Sequence, residues 1–319
     1  MNTSNKTSLK TSPKTVESPT TKDQFRSGIF FAIAGTALFS LKSIFAKLAF
    51  IEGIDATTLV TLRMIIAFPF YVVILIYAIK TRPEKAALLT KRDGLMIFGL
   101  GFLGYYLASY LDFQGLFYIS AQLERLTLFT YPIMVALLSW VFFREKITPR
   151  IVASLAISYA GVSLLFFNET PSVNMTQAQI SLGTSLVALA AFSFAIYLIF
   201  SRAFVSRLGS LIFTSLAMSS SMIFMLIQFF TTHELQDLNV SGRVWFLCLL
   251  LAVFSTVIPS FFTSEAINRI GPTKTSIMGS VGPVMTIVLA VNLLGEEFGL
   301  PQIVGLVLVV LGVSLLRKS

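Results

Sequence analysis

Five ionisable side chains sit inside long apolar stretches of this chain: Lys42, Lys47, Arg63, Glu124 and Arg125. A charge at membrane depth costs at least a few kcal/mol, so it faces a cavity or a partner. Four cations against one acid leave a surplus of positive charge, which favours a ligand carrying a carboxylate or phosphate. Arg63 and Arg125 have the planar fork that can hold such a group bidentately. We therefore expect Lys42, Arg63 and Arg125 to form the anion-binding end of a substrate site. Glu124 either joins that site or pairs with Arg63 or Lys42, and it is the one acid placed well inside a span where it could titrate. Lys47 lies nearer a span end and is expected to snorkel to the surface. Tyr106, Tyr110 and Tyr197, with Tyr105 and Tyr131, lie in or beside the same stretches and are candidate lining residues.

Enzyme chemistry finds little support. The single His, His233, sits in a polar stretch, and Asp112 has no buried Asp partner for a carboxylate pair. H-E-x-x-H and G-x-x-x-x-G-K-[ST] do not occur, so neither zincin nor P-loop chemistry is expected. One Cys, Cys248, allows no internal disulfide. No metal or cofactor is expected.

The elements that carry these charges follow from composition. Of 319 residues, 55% are hydrophobic and 12% charged, against about 25% charged in a soluble domain. Residues 1–27 are rich in Ser, Thr and Lys, with Pro13 and Pro19, and read as a disordered tail. Ten runs of membrane-spanning length follow, near 28–50, 56–79, 94–112, 116–142, 150–167, 181–202, 209–231, 244–265, 270–294 and 301–317. The break at 112–116 rests on Asp112, Gln114 and Gly115. With the N-terminus inside, nineteen Lys and Arg residues fall on inner segments, and Arg243 alone falls outside. That asymmetry places both termini in the cytoplasm. It also accounts for the net charge of +9 by orientation, and nucleic-acid binding is not expected.

The chain also resembles itself. Displaced by 151 residues, Pro132 falls on Pro283, Met134 on Met285, Glu145 on Glu296, and Gly161 to Leu165 on Gly312 to Leu316. Five spans separate the copies, so the second is inverted. The charges agree, since Arg144-Glu145-Lys146 becomes Gly295-Glu296-Glu297. The expected architecture is an all-α membrane protein of ten helices in two inverted repeats, 28–167 and 181–317, joined by an outer linker at 168–180. Inverted repeats rock about a midplane site in secondary transporters. Pro69, Pro132, Pro259 and Pro283 interrupt spans, and the repeated pair Pro132 and Pro283 are the hinge candidates.

The Pro in a span, the loop Glu and the Gly-Val near the end of the next span resemble the EamA-type repeat of the drug/metabolite transporter superfamily. The run from Tyr110 to Leu126, and Arg63 near the start of the second span, resemble a bacterial branch of it. The resemblance implies five-plus-five helices, cytoplasmic termini, and a cavity lined by helices 1–4 and 6–9 with helices 5 and 10 peripheral. It implies a bacterial cytoplasmic (inner) membrane location, and the peripheral helices would leave a face for a homodimer. It also suggests amino acids and their relatives, or larger solutes such as S-adenosylmethionine, nucleosides or vitamins. A rough alignment puts Met218 opposite Arg63, so the halves differ in the cavity.

Gly99, Gly101 and Gly104 match G-x-G-x-x-G, but the segment lies inside an apolar run. Close helix packing is expected there, not a dinucleotide turn. The function expected is secondary active transport of a small polar metabolite, an amino acid or related carboxylate- or phosphate-bearing solute. A carrier for a larger metabolite is the second reading. A passive channel or structural membrane protein is the third, disfavoured because the charges sit in one half rather than in a ring.

Overall fold

The computed structural model describes residues 21–143, 148–168, 176–279 and 281–315. The tail before Thr21, the loop holding Arg144, Glu145 and Lys146, most of the 168–180 linker, and Arg317 with Lys318 lie outside the described residues. The described residues are helical, without strands. We number the helices α1 (Thr21–Ile51), α2 (Ala56–Thr81), α3 (Lys91–Tyr118), α4 (Ala121–Leu128), α5 (Tyr131–Phe143), α6 (Pro149–Phe167), α7 (Gln177–Leu208) and α8 (Ser210–Thr232). There follow α9 (Gly242–Ile270), α10 (Pro272–Met278), α11 (Val281–Leu289, continued by a wide turn at Ala290–Leu294) and α12 (Leu300–Leu315). Among the described residues, eight helical stretches are long and apolar enough to cross a membrane, with α4–α5 and α10–α11 each counting as one. The apolar parts of α6 and α12 are shorter.

Local chemistry sets the ends. Asp55 caps α2 by accepting from the backbone N–H of Thr57 at 2.7 Å and of Thr58 at 3.0 Å. Thr90 and Asp93 form a reciprocal capping box at the start of α3, and Ser120 and Ser241 cap α4 and α9. Gly209 and Gly271 end α7 and α9 at φ of 85° and 80°, a region other residues avoid. The outside of the bundle is clad in apolar side chains such as Val73, Leu95, Phe230 and Leu311, each more than half exposed. In water this would be an aggregation surface; in a bilayer it is the solvent-facing surface.

Small residues let helices meet backbone to backbone. A Cβ on Gly115 of α3 would lie 2.6 Å from the carbonyl oxygen of Gly183 in α7, and one on Gly183 would lie 2.9 Å from that of Gly115. A Cβ on Gly161 of α6 would meet the Gly305 oxygen at 2.7 Å, and one on Gly312 of α12 would meet the Ser154 oxygen at 2.9 Å. The G-x-G-x-x-G segment behaves as packing chemistry demands. Gly101 presses on Ala217 and Ser220 of α8 and Gly104 on Tyr197 of α7, while Gly99 has nothing within 4 Å.

Several helices are interrupted. Between α4 and α5 the chain breaks at Phe129–Thr130, and Pro132 sits in the next first turn, where its missing N–H costs no helical bond. Pro283 occupies the corresponding first turn of α11. Wide π-type turns interrupt α3 at Phe102–Leu107 and α9 at Val253–Val257.

Two expectations are corrected. Helix α1 begins at Thr21, so residues 21–27 are not a disordered tail; Asp23 in the first turn suits the helix dipole, and Arg269 donates to Ser27 at 2.5 Å. Helix α3 runs unbroken through Asp112, Gln114 and Gly115 to Tyr118, so the turn lies at Ile119–Ser120. Each supposed breaker meets a partner from another helix. Asp112 pairs with Lys42, Gln114 donates to Thr57 Oγ1 at 3.1 Å, and Gly115 is the contact with Gly183.

Candidate functional site

Helices α1–α4 and α7–α10, with Tyr131 at the start of α5, enclose a cavity of about 110 Å³. Among the described residues, neither α6 nor α12 contributes to its wall. On α3 the wall is Tyr105, Ala108, Ser109 and Asp112, one helical stripe. On α9 it is Ser255, Thr256, Pro259, Ser260 and Thr263. These stripes are polar or small, whereas Phe39, Phe129 and Phe194 supply aromatic wall.

Two guanidiniums reach this space. Arg63 is 3% exposed, lies 4.9 Å above the Phe113 ring and donates to Thr256 Oγ1 at 3.4 Å. Its Nε has no hydrogen-bond partner. Arg125 is 4% exposed, donates to Ser40 Oγ at 2.8 Å and lies 5.1 Å above Phe39. Gly282 allows the approach, since a Cβ there would fall 3.1 Å from Arg125 Nη2.

Behind them lies a three-centre ion cluster. Lys42, 1% exposed, pairs with Asp112 and donates to Glu124 Oε1 at 2.9 Å. Ser43 donates to Glu124 Oε2 at 2.6 Å. Lys42 and Glu124 do not line the cavity; they hold α1 to α4. Asp112 does line it, and its Oδ1 has no partner. Glu124 is thus not the only acid within a span. The cluster of Lys42, Arg63, Arg125, Asp112 and Glu124 carries one net positive charge, smaller than the surplus read from sequence.

The tyrosines divide differently. Tyr105 and Tyr131 line the cavity. Tyr197 is fully buried behind Tyr105, to which it hydrogen-bonds at 2.7 Å. Tyr106 bonds Gln228 and stacks on Tyr110, and neither is part of the wall.

The two ends of the bundle differ in charge. At one end Arg207 pairs with Asp93, Lys85 and Arg82 lie beside Gly209, Arg202 beside Gly271, and Arg269 pairs with Glu265. At the other, Arg243 pairs with Glu52 and His233 lies 3.4 Å from Asp55. There Glu296 accepts from the backbone N–H of Ala121 at 2.7 Å and of Gln122 at 3.2 Å, stapling α4 to the segment between α11 and α12. Lys47 faces Glu296 electrostatically.

Comparison with known proteins places this arrangement. The family model described as the EamA-like transporter family matches residues 26–167 and again 181–318. The chain belongs to the EamA-like transporter family. It is a multi-pass membrane protein of that family, as the sequence resemblance suggested. The uncharacterized transporter YcbK of Bacillus subtilis (strain 168) is 28% identical over 287 residues, 87% of this chain and 88% of that one. An uncharacterized transporter of Archaeoglobus fulgidus is 26% identical over 230 residues, 72% of this chain and 79% of that one. A solved crystal structure superposes with a TM-score of 0.66 over 91% of this chain and 96% of that chain, at 16% identity, which speaks for the fold alone.

Within this family member, sequence reasoning found Arg63 and Arg125 but passed over Asp112, Ser40, Thr256 and Ser260. A signal existed: Tyr105, Ala108, Ser109 and Asp112 recur at helical spacing as a small or polar stripe in an apolar helix. Treating Asp112 as a loop residue hid it.

Proposed function

We propose that this chain is a secondary transporter that moves a small carboxylate- or phosphate-bearing solute, an amino acid or a relative, through the central cavity by alternating access. The carrying observation is Arg63: a buried cation in the cavity wall with, among the described residues, no carboxylate in salt-bridge contact and no partner for its Nε. A buried, incompletely paired guanidinium is costly, and an anionic ligand removes that cost. Arg125 supplies a second donor, and the Ser255 hydroxyl, which has no hydrogen-bond partner among the described residues, supplies a neutral one. A cavity of about 110 Å³ favours a small solute over S-adenosylmethionine or a nucleoside, since pockets for drug-sized ligands measure roughly 300 Å³ or more.

In this reading the fold is ten membrane helices in two inverted repeats. The 151-residue displacement supports it beyond the sequence. It carries the wide turn at Phe102–Leu107 onto that at Val253–Val257, α2 onto α8, and α4 onto α10. Ser158 donates to the Val309 carbonyl at 3.5 Å, so two residues exactly one displacement apart touch. The Gly161–Gly305 contact likewise maps onto the Gly312–Ser154 contact. Such self-reciprocal contacts are what a two-fold axis produces. The same displacement puts Thr214, not Met218, opposite Arg63. The basic end of the bundle is then cytoplasmic, with both termini, in a bacterial inner membrane. Glu296 closes the outer end.

The test compares intracellular metabolites in cells with and without the protein. An anionic solute should change in level, and Arg63→Ala should abolish the difference. A metabolite profile unmoved by the wild-type protein would count against transport.

A further inference from the structure

Asp112 is more than a partner for Lys42. It is 4% exposed, it lines the cavity, and its Oδ1 lacks any hydrogen-bond partner. Leaving one oxygen of a buried carboxylate without a donor, beside the carboxylate of Glu124, is expensive unless a proton or another donor binds there. The charged groups around it are Lys42 from α1, Arg63 from α2, and Glu124 and Arg125 from α4. From α9 the neighbouring wall is neutral, namely Ser255, Thr256, Ser260 and Thr263.

Resting on the transport reading above, we propose that Asp112 is a proton-coupling site, taking a proton from cavity water and returning it once per cycle. The step is a simple transfer: hydronium gives a proton to the carboxylate, leaving water and a neutral carboxylic acid. Its electrostatic consequence follows from the charge count. With Asp112 ionised the cluster carries one net positive charge; with Asp112 neutral it carries two. An anionic solute on Arg63 and Arg125 and a proton on Asp112 therefore favour each other's binding, which is the condition for symport.

The mechanical consequence follows from the contacts. Lys42 to Asp112 is the ionic link between α1 and α3. Protonation removes it but leaves Lys42 to Glu124, Ser43 to Glu124 and Arg125 to Ser40, so α1 stays with α4. Helix α3 stays with α7 through Gly115 and Gly183. Asp112 also lies within hydrogen-bonding reach of Glu124, so the proton exchanges an α1–α3 ion pair for an α3–α4 contact and changes how α3 is held in the cavity wall.

The experiment is infrared difference spectroscopy of the full-length protein in phosphatidylcholine vesicles, titrated from about pH 9 to about pH 3, a range that includes the ordinary carboxyl value. Protein grown with ¹³C-labelled aspartate identifies the residue type without any substitution. The expected result is a protonated-carboxyl carbonyl band that grows as pH falls, moves with the aspartate label, vanishes in Asp112→Asn and persists in Glu124→Gln. Should Asp112→Asn fail to fold, the label shift in wild-type protein with loss of the band in Asp112→Glu at its original frequency decides. No aspartate band, a band unchanged in Asp112→Asn, or a band displaced by replacing choline chloride with sodium chloride overturns the proposal. A band that appears only when an amine such as glycine is withheld assigns Asp112 to a ligand ammonium and also overturns it. The readout needs no transported solute, so its failure leaves the transport reading standing, and a failed transport assay does not touch it.

Discussion

Replacing Lys42 by Met removes the one cation shared by two buried carboxylates. At 2.9 Å from Glu124, the attraction is about 6 kcal/mol at an effective dielectric near 20. Desolvation of Lys42 offsets part of it, and breaking a buried pair by deleting one partner costs about 3–5 kcal/mol. The larger loss applies here, because Asp112 and Glu124 are then left facing each other with no cation between them. A cost of that size lowers the folded-to-unfolded ratio about 150- to 5,000-fold. The assay is unfolding in mixed dodecyl sulfate micelles, followed by helical circular dichroism. The triple variant Lys42→Met, Asp112→Asn, Glu124→Gln removes all three charges and should regain most of the loss, since neutral groups of similar shape replace buried ion pairs at little cost. A single variant within about 1 kcal/mol of wild type, or a triple variant as unstable as the single, refutes the assignment of Lys42 as the cluster's counter-charge.

Helix contacts are tested by bulk. Gly161→Leu and Gly312→Leu force a side chain against a main-chain oxygen of the partner helix and should each cost about 1–3 kcal/mol in the same assay, whereas Gly99→Ala, with nothing within 4 Å, should be neutral or stabilising. Asp55 tests pH linkage outside the spans. Half-burial pulls its pKa up, but hydrogen bonds from Thr58 and Thr57 and the charge of His233 outweigh this and hold it below the ordinary 3.8. A depressed folded pKa means its contribution is fully present above about pH 4 and fades as pH falls through the lowered value; Asp55→Asn should flatten that acid limb of a stability-against-pH curve. Glu296→Ala removes two hydrogen bonds that close the end of the bundle near Ala121, worth about 0.5–2 kcal/mol as for a lost cap. In a Cys248→Ser background, a cysteine placed at Ser109 should then react about 2- to 30-fold faster with an impermeant thiol reagent added from that end, and an unchanged rate would mean Glu296 is not a closure.

The helices were legible because apolar runs of span length leave few alternatives, and the polar breaks at Asp55, Thr90, Thr176 and Ser241 are capping residues that do the work of ending them. The break at 112–116 was misplaced for a physical reason. Asp, Gln and Gly are turn formers in isolation, and only partners from α1, α2 and α7 turn them into helix interior. The same blindness affected the charge count, because Asp112 was assigned to a loop. Arg63 and Arg125 were found because a cation in an apolar helix is conspicuous by itself. Lys42 and Glu124 were found equally easily, but residue type alone does not separate a cation facing a cavity from one facing two carboxylates. Tyr106, Tyr110 and Tyr197 illustrate the same limit for aromatics, whose roles depend on which helix face the partner occupies.

The central claim is that Arg63 and Arg125 hold a transported anion in the cavity between the two halves. It is tested most directly by reconstituting the purified protein into vesicles loaded with a bacterial metabolite extract and measuring what leaves them by mass spectrometry. The account predicts saturable loss of a carboxylate- or phosphate-bearing solute, with apparent affinity reduced about 10- to 100-fold when either arginine becomes alanine, and not restored by Arg63→Lys. Efflux that is equal in wild type and in both arginine variants, or that selects cationic solutes, would contradict it.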